Sequence, residues 1–282
     1  MAISLKNIKS LVKKKQQQNQ IVEEVKQEEL KTTLNQQEII QPFLDSFSIN
    51  AVKQFDIEDF KVKGTDQAYY IKNYISIESE QHLLNCITKL DQDRWFEMKS
   101  GRALKRYGGE VGSNGLLNQE SLPSYFEIIA QNLSDSGIFP EYKPNHVLLN
   151  KYRPGDGIFA HKDGPSYFPF VCILSLNSGI ILYVKETLEG LNERKNYRAR
   201  FYLEPRSLFI FTQTHYDTHF HGIDEDLEDV VSIKNDNDFK VDNLEMTDIL
   251  QTYQAGEDGL IHIPRVEERL SLTIRYVPSL QE

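Results

Sequence analysis

The sequence predicts a mainly β fold, a sandwich or jelly roll with helices packed beside it. Three observations carry this. After Pro144, short runs of β-branched, aromatic and leucine residues recur, separated by turn residues such as Pro154-Gly155, Gly164-Pro165 and Asn177-Ser178-Gly179. The main helical segments come before that point. The 15 Phe and 14 Tyr among 282 residues can fill a core between sheets.

Taken in order, residues 1–52 are rich in Gln, Lys and Glu, with no Gly and no aromatic before Phe43. Ile8, Leu11, Val12, Ile21, Val22 and Val25 have loose helical spacing, so this part is expected to be a polar extension, solvated or partly helical. It also offers a partner helix for another protein. Lys13-Lys14-Lys15 is a basic run of a common kind. The globular part starts near 53. Ala68 to Ile75 reads as a strand and Ser79 to Leu90 as a helix. Ser121 to Asn132 reads as a second helix with Pro123 in its first turn. Strands are expected over His146–Asn150, Phe170–Ser175, Ile180–Val184, Ala199–Leu203, Ser207–Phe211 and Leu270–Tyr276.

The net charge of −10 argues against nucleic acid until its distribution is considered. Residues 224–262 hold twelve acidic residues against Lys234 and Lys240, which is the whole excess; the rest of the chain is formally neutral. This acidic insertion sits between the last two strands and is too long for an ordinary connection. A largely mobile loop is expected there, with one helix over Met246–Tyr253, acting as an electrostatic gate or simply solvated. Cys86 and Cys172 form neither a disulfide framework nor a zinc cage. No apolar run is long enough to span a bilayer and Met1–Val22 has no apolar centre, so a soluble chain in the cytoplasm, the nucleus or both is expected, most simply a monomer.

His161-Lys162-Asp163 is the first candidate for chemistry. On an extended strand, residues two apart point the same way, so both side chains can reach one ion. Two His and one carboxylate on one face of an iron leave three positions open. A second pair, His215-Tyr216-Asp217, shows that such matches also occur by chance, but only the first follows a strand and a Pro-Gly turn (Asn150 to Gly155). Farther on, Arg269, Ser271, Thr273 and Arg275 alternate on one strand face with Leu270, Leu272 and Ile274 on the other. Two Arg and two hydroxyls on one side form an anion site, since Arg binds carboxylates bidentately. Asp236-x-Asp238 resembles the opening of a calcium loop, but Lys240 falls at a ligand position. No nucleophile elbow, phosphate-binding loop or Cys-pair zinc site is present.

The set Asn150-x-Tyr152, His161-x-Asp163, His221-Gly222-Ile223 and Arg269-x-Ser271-x-Thr273-x-Arg275 resembles the AlkB family of 2-oxoglutarate dioxygenases. Asn145 to Tyr152, His161 to Pro165, Glu204 to Leu208 and Ser100 to Gly109 are most similar to its homologue-six branch. The resemblance covers roughly 66–223 and 263–278 and leaves out the extension and the insertion. It implies a double-stranded β-helix, His161, Asp163 and His221 as ligands of Fe(II), and 2-oxoglutarate and O₂ as co-substrates. It places Asn150, Tyr152, Arg269, Ser271 and Arg275 at the 2-oxoglutarate, with Arg269 on its distal carboxylate. Relatives often carry an amide at the Ser271 position. Alternatives stay open: His219 shares a strand face with His221, Tyr152 suits plain packing, and Arg275 suits a structural ion pair.

Substrate signals are fewer. Segment 94–106 carries Arg94, Lys99, Arg102, Lys105 and Arg106 beside Trp95 and Phe96, and in relatives this region covers the substrate. Basic and aromatic residues together suit a nucleic acid strand or a flipped base, so Lys99, Arg102, Lys105 and Arg106 are the expected contacts to DNA or RNA. A protein side chain is the alternative substrate, and a binding module without turnover the alternative to an enzyme.

Overall fold

A computed structural model of the chain describes Lys26 and residues 31–47, 56–65, 67–90, 95–113, 115–188, 197–234 and 238–278. Helix α1 (31–47) turns Phe43 and Phe47 into the core, and the Cys86 thiol lies 3.5 Å from the carbonyl of Ile39. The polar extension expected over 1–52 thus ends in a docked helix. The residues that dock it, two Phe four apart, are its only aromatics. The Lys13–Lys15 run lies outside the described residues.

After α1 come β1 (Ala68–Ile71), α2 (Ile77–Leu90), β2 (Phe96–Glu97), β3 (Ala103–Tyr107), β4 (Glu110–Gly112), β5 (Gly115–Leu117) and α3 (Ser124–Asp135). The barrel follows: β6 (His146–Tyr152), β7 (Ile158–His161), β8 (Phe170–Leu176), β9 (Ile180–Lys185), β10 (Ala199–Leu203), β11 (Leu208–Thr212), the short α4 (Gln213–Asp217) and β12 (Phe220–Ile223). Last are β13 (Glu228–Ser232), α5 (Ile249–Thr252), β14 (Leu260–Pro264) and β15 (Arg269–Arg275). Strand β1 stops four residues before the expected end because Lys72 and Asn73 turn, with Asn73 at φ 49°. Helix α3 starts after Pro123, which serves as its N-cap rather than lying in its first turn.

Seven strands form one sheet in the order β1-β11-β8-β15-β6-β3-β2, and four form a second in the order β10-β9-β12-β7. The sheets face each other through Val171, Ile173, Leu182, Val184, Phe201 and Phe209, the jelly-roll arrangement expected. The opposite face of the large sheet, with Leu174, Leu208, Leu272 and Ile274, packs on α1, α2 and α3 through Phe43, Leu83, Phe126 and Leu133. Because both faces of β8, β11 and β15 are covered, these strands read as nearly continuous buried runs.

The described residues of the acidic insertion are folded, which corrects the expectation of a largely mobile loop. Strands β13 and β14 pair as an antiparallel ribbon, and Val231, Val241, Ile249, Ile261 and Ile263 pack on Ile181 and Tyr202 of the small sheet. The single helix expected over Met246–Tyr253 is a 3₁₀ turn (Leu244–Met246) followed by α5. Its polar groups serve the edge strand β10: Asn243 accepts from the Tyr202 amide and donates to the Tyr202 carbonyl, each at 2.9 Å, and Asp242 accepts from the Arg200 amide at 3.0 Å. An edge that would otherwise offer bare backbone groups is closed in this way. Beneath the ribbon, Arg265 and Asp229 form a buried ion pair at 2.6 Å.

Candidate metal centre and co-substrate pocket

The local fold brings His161, Asp163 and His221 together. His161 is the last residue of β7 and pairs directly with His221 of β12, with ring centroids 4.4 Å apart. Asp163 lies just past the strand end, so the loop rather than strand alternation brings it round. One ligand atom from each of the three lies within 4.8 Å of the others, and among the described residues this is the one such cluster. Gly222 is required beside it, since a Cβ there would lie 2.4 Å from the Tyr183 hydroxyl.

The second His-x-Asp pair is elsewhere. His215 and His219 face each other at 3.1 Å between their Nδ1 atoms, and neither joins the cluster. The Tyr216 hydroxyl donates to the Gly164 carbonyl, and Lys162 Nζ donates to the Asp217 carbonyl at 2.9 Å. Helix α4 therefore pins the loop that carries Asp163.

The protonation states suit a cation. Burial pushes His221 down to about 3 and also lowers His161, so both imidazoles are neutral at physiological pH. His161 Nδ1 sits 2.8 Å from the Phe159 carbonyl, which assigns the proton to Nδ1 and the lone pair to Nε2. Burial opposes ionisation of Asp163, but the Arg275 guanidinium beside it holds it below the usual carboxylate range. Asp163 Oδ2 and His221 Nδ1 are buried without a hydrogen-bond partner. Two neutral imidazoles, one carboxylate and unfilled buried valences fit a divalent transition metal.

Strands β6 and β15 build the floor. Their register sets Tyr152 against Arg269, Asn150 against Ser271, Leu148 against Thr273 and His146 against Arg275. Arg269, Asn150, Tyr152, Ser271 and Thr273 line an inner cavity of about 40 Å³ that reaches His161, Asp163 and His221. Arg269 is buried, donates to Ser175 Oγ at 2.8 Å and lies 5.5 Å from the Tyr152 ring; its Nε has no partner. Burial pushes it down to about 10, so it remains a cation at neutral pH. Among the described residues no carboxylate pairs with it. A buried unpaired arginine at the end of a polar cavity fits the distal carboxylate of a dicarboxylic acid.

The other expected co-substrate residues are differently engaged. Arg275 Nη1 donates to Asp163 Oδ1 at 2.8 Å, so the structural ion pair is what the fold makes, and the Tyr167 ring lies 4.2 Å from its guanidinium. Asn150 accepts from Arg102 Nη1 at 2.7 Å and donates to Thr273 Oγ1 at 3.2 Å.

An outer cleft of about 1090 Å³ opens over the cluster, lined by Phe96, Met98, Lys99, Arg106, Phe159 and Lys162 among others. Of the four cations expected at the substrate, Lys99 and Arg106 are exposed at the cleft. Arg102 is buried between the cleft and the cavity, and Lys105 is buried with its Nζ 4.9 Å from the Trp95 ring. Arg94 lies outside the described residues. On β3, alternation turns successive residues to opposite faces, which a count of charges in a segment does not resolve. Phe159 and His146 were not singled out from the sequence. Phe159 was findable, since it shares a strand face with His161; His146 was hidden until the β6–β15 register was known.

Residues 113–275 match the model of the 2OG-Fe(II) oxygenase superfamily. The chain is 32% identical over 232 residues to a Danio rerio protein named "Probable RNA/DNA demethylase ALKBH6", covering 80% of this chain and 92% of that one. It is 29% identical over 172 residues to the uncharacterized protein L905 of Acanthamoeba polyphaga mimivirus, covering 58% and 75%. A solved structure of OsALKBH1 superposes with a TM-score of 0.49 at 14% identity, covering 77% of this chain and 100% of that one. The chain belongs to the 2OG-Fe(II) oxygenase superfamily and is an AlkB-like 2-oxoglutarate-dependent dioxygenase.

Proposed function

We propose that this dioxygenase removes alkyl groups from nitrogen atoms of nucleic acid bases, with His161, Asp163 and His221 holding Fe(II) and Arg269 holding 2-oxoglutarate. The observation that carries the substrate is the cleft itself. It stands over the metal cluster and has Phe159 and Phe96 exposed at its walls, 70% and 58%, with Lys99 and Arg106 beside them. Exposed aromatics next to cations suit stacked bases and a phosphate backbone. The name of the Danio rerio relative points the same way.

When bound, the iron and 2-oxoglutarate supply the activation of O₂ and the oxidation of a C–H bond, with succinate and CO₂ as co-products and formaldehyde leaving from an N-methyl group. The chain supplies everything around that step. The Phe159 carbonyl fixes the His161 tautomer, and Arg275 keeps Asp163 ionised. Arg269 with Tyr152 and Ser271 orients the co-substrate at the inner end of β6 and β15, and Asn150 and Thr273 continue that polar wall. Leu148, Ile173, Leu182 and Ile223 form the apolar part of the cavity wall, and a low-dielectric wall strengthens each charged contact beside it.

Incubating the Fe(II)-loaded chain with 2-oxoglutarate in air, together with methylated oligonucleotides and methylated peptides, and following both by mass, separates the substrates. Loss of methyl from oligonucleotides supports this function; loss from peptides alone overturns it in favour of a protein substrate.

A further inference from the structure

His146 has no place in metal or co-substrate binding. It is 1% exposed, and neither ring nitrogen has a hydrogen-bond partner. The great majority of buried polar side chains are hydrogen-bonded, so an imidazole left without a bond on both sides calls for a specific account. Its position supplies one. On β6, His146, Leu148, Asn150 and Tyr152 share a face that runs from the outer cleft to the inner cavity. Tyr152 and Asn150 line the co-substrate end, and His146 stands at the other end, opposite Arg275 and against the Tyr167 ring at 5.8 Å. The residue thus lies at the cleft floor, one strand away from the ion pair that holds Asp163.

The chemistry of the ring follows from its surroundings. Burial, then the cations Arg275 and Arg106, push His146 down to about 3, while Asp163 opposes them. A neutral imidazole carries one N–H donor and one lone pair. It therefore suits an uncharged partner with matching polarity, as the edge of a nucleobase presents. Other groups at this end of the cleft are committed within the fold, Arg275 to Asp163 and Tyr167 to its stack on Arg275.

We propose that His146 is a specificity-determining residue that hydrogen-bonds the polar edge of the substrate base at the cleft floor, a role that rests on the nucleic-acid function proposed above. Tyr167, half-buried, flanks His146 where the cleft reaches it.

Three oligonucleotides identical except at one position test this. That position carries an N-methylated adenine, an N-methylated cytosine or an abasic site. Binding to the full-length chain is measured by fluorescence anisotropy, and demethylation of the first two is measured in parallel. Wild type is expected to prefer a base over the abasic site, through stacking and through the His146 bond. His146→Phe should lower that preference by about tenfold, the worth of one good hydrogen bond, with abasic binding unchanged, and His146→Asn, which keeps a donor and an acceptor, should recover part of it. A His146→Phe chain that keeps the wild-type preference, or a wild type without one, overturns the role of His146 alone. If His146→Phe does not fold, His146→Asn carries the comparison, and its equality with an unfavourable His146→Leu chain overturns the role. A wild type that neither binds nor demethylates any of the three overturns the nucleic-acid function and this role with it.

Discussion

Arg275, the last residue of β15, reaches across to Asp163 in the loop after β7 with 2.8 Å between Nη1 and Oδ1, both side chains buried. The strand that opens with Arg269 therefore closes with the residue that sets the charge of Asp163. Removing Arg275 leaves a buried carboxylate without its cation. Arg275→Leu is expected to lower stability by about 3–5 kcal/mol and to weaken binding of Co(II) or Mn(II), with Arg275→Lys intermediate. Calorimetric titration with either metal checks this, and unchanged affinity in Arg275→Leu would show that Asp163 needs no partner.

How much of this was legible depended on whether a residue's partner was implied by strand alternation. Arg269, Ser271, Thr273 and Arg275 share a face because β15 alternates, and the structure turns them into the cavity as the sequence implied. Lys105 was counted with Lys99 and Arg106, since a basic segment looks uniform until a strand sorts its residues by face, whereas Arg102 shares the Arg106 face and is drawn inward by its bond to Asn150. The choice of Arg275 between a co-substrate and Asp163 is a long-range contact, and no local pattern encodes it. The insertion misled because its acids dominate its composition. Its packing rests on Val231, Ile249, Ile261 and Ile263, whose docking surface is the distant Ile181 and Tyr202.

Arg269 is buried and donates to Ser175 Oγ, and in the role proposed above its anion is the distal carboxylate of 2-oxoglutarate. Arg269→Ala should weaken co-substrate binding by about 2–5 kcal/mol while metal affinity changes far less. Anaerobic titration of the metal-loaded chain with 2-oxoglutarate measures both. Equal co-substrate affinity in mutant and wild type would remove Arg269 from this role.

The insertion is expected to act on stability. Replacing 226–258 with a Gly-Ser linker removes Asp229 and leaves Arg265 buried without its partner, and it uncovers Tyr202 and Ile181. Melting should fall by more than 10 °C, as befits a loss of several kcal/mol. Oligonucleotide affinity at low salt checks the gate idea directly: a gain that fades at high salt would restore the electrostatic role, because only exposed charges are screened so strongly.

Burial sets a pH dependence on His146. Its folded value is near 3 against about 6.5 in an unfolded chain. Below pH 6.5 the unfolded state binds a proton that the folded state refuses, so this histidine destabilises the fold increasingly as pH falls and is silent above pH 7. The slope is about 1.4 kcal/mol per pH unit. Relative to His146→Phe, the metal-free wild type should therefore lose stability between pH 6.5 and 4.5, measured by denaturant unfolding in chelator. A constant difference across that range would mean that the ring protonates freely in the folded state.

The central claim is that His161, Asp163 and His221 form one metal centre next to the Arg269 pocket. The direct measurement is the visible charge-transfer band that appears when 2-oxoglutarate is added anaerobically to the Fe(II)-loaded chain. Wild type and His215→Ala should both develop it, while His161→Ala, Asp163→Ala and His221→Ala should not. A band that survives His161→Ala and disappears in His215→Ala would contradict the account.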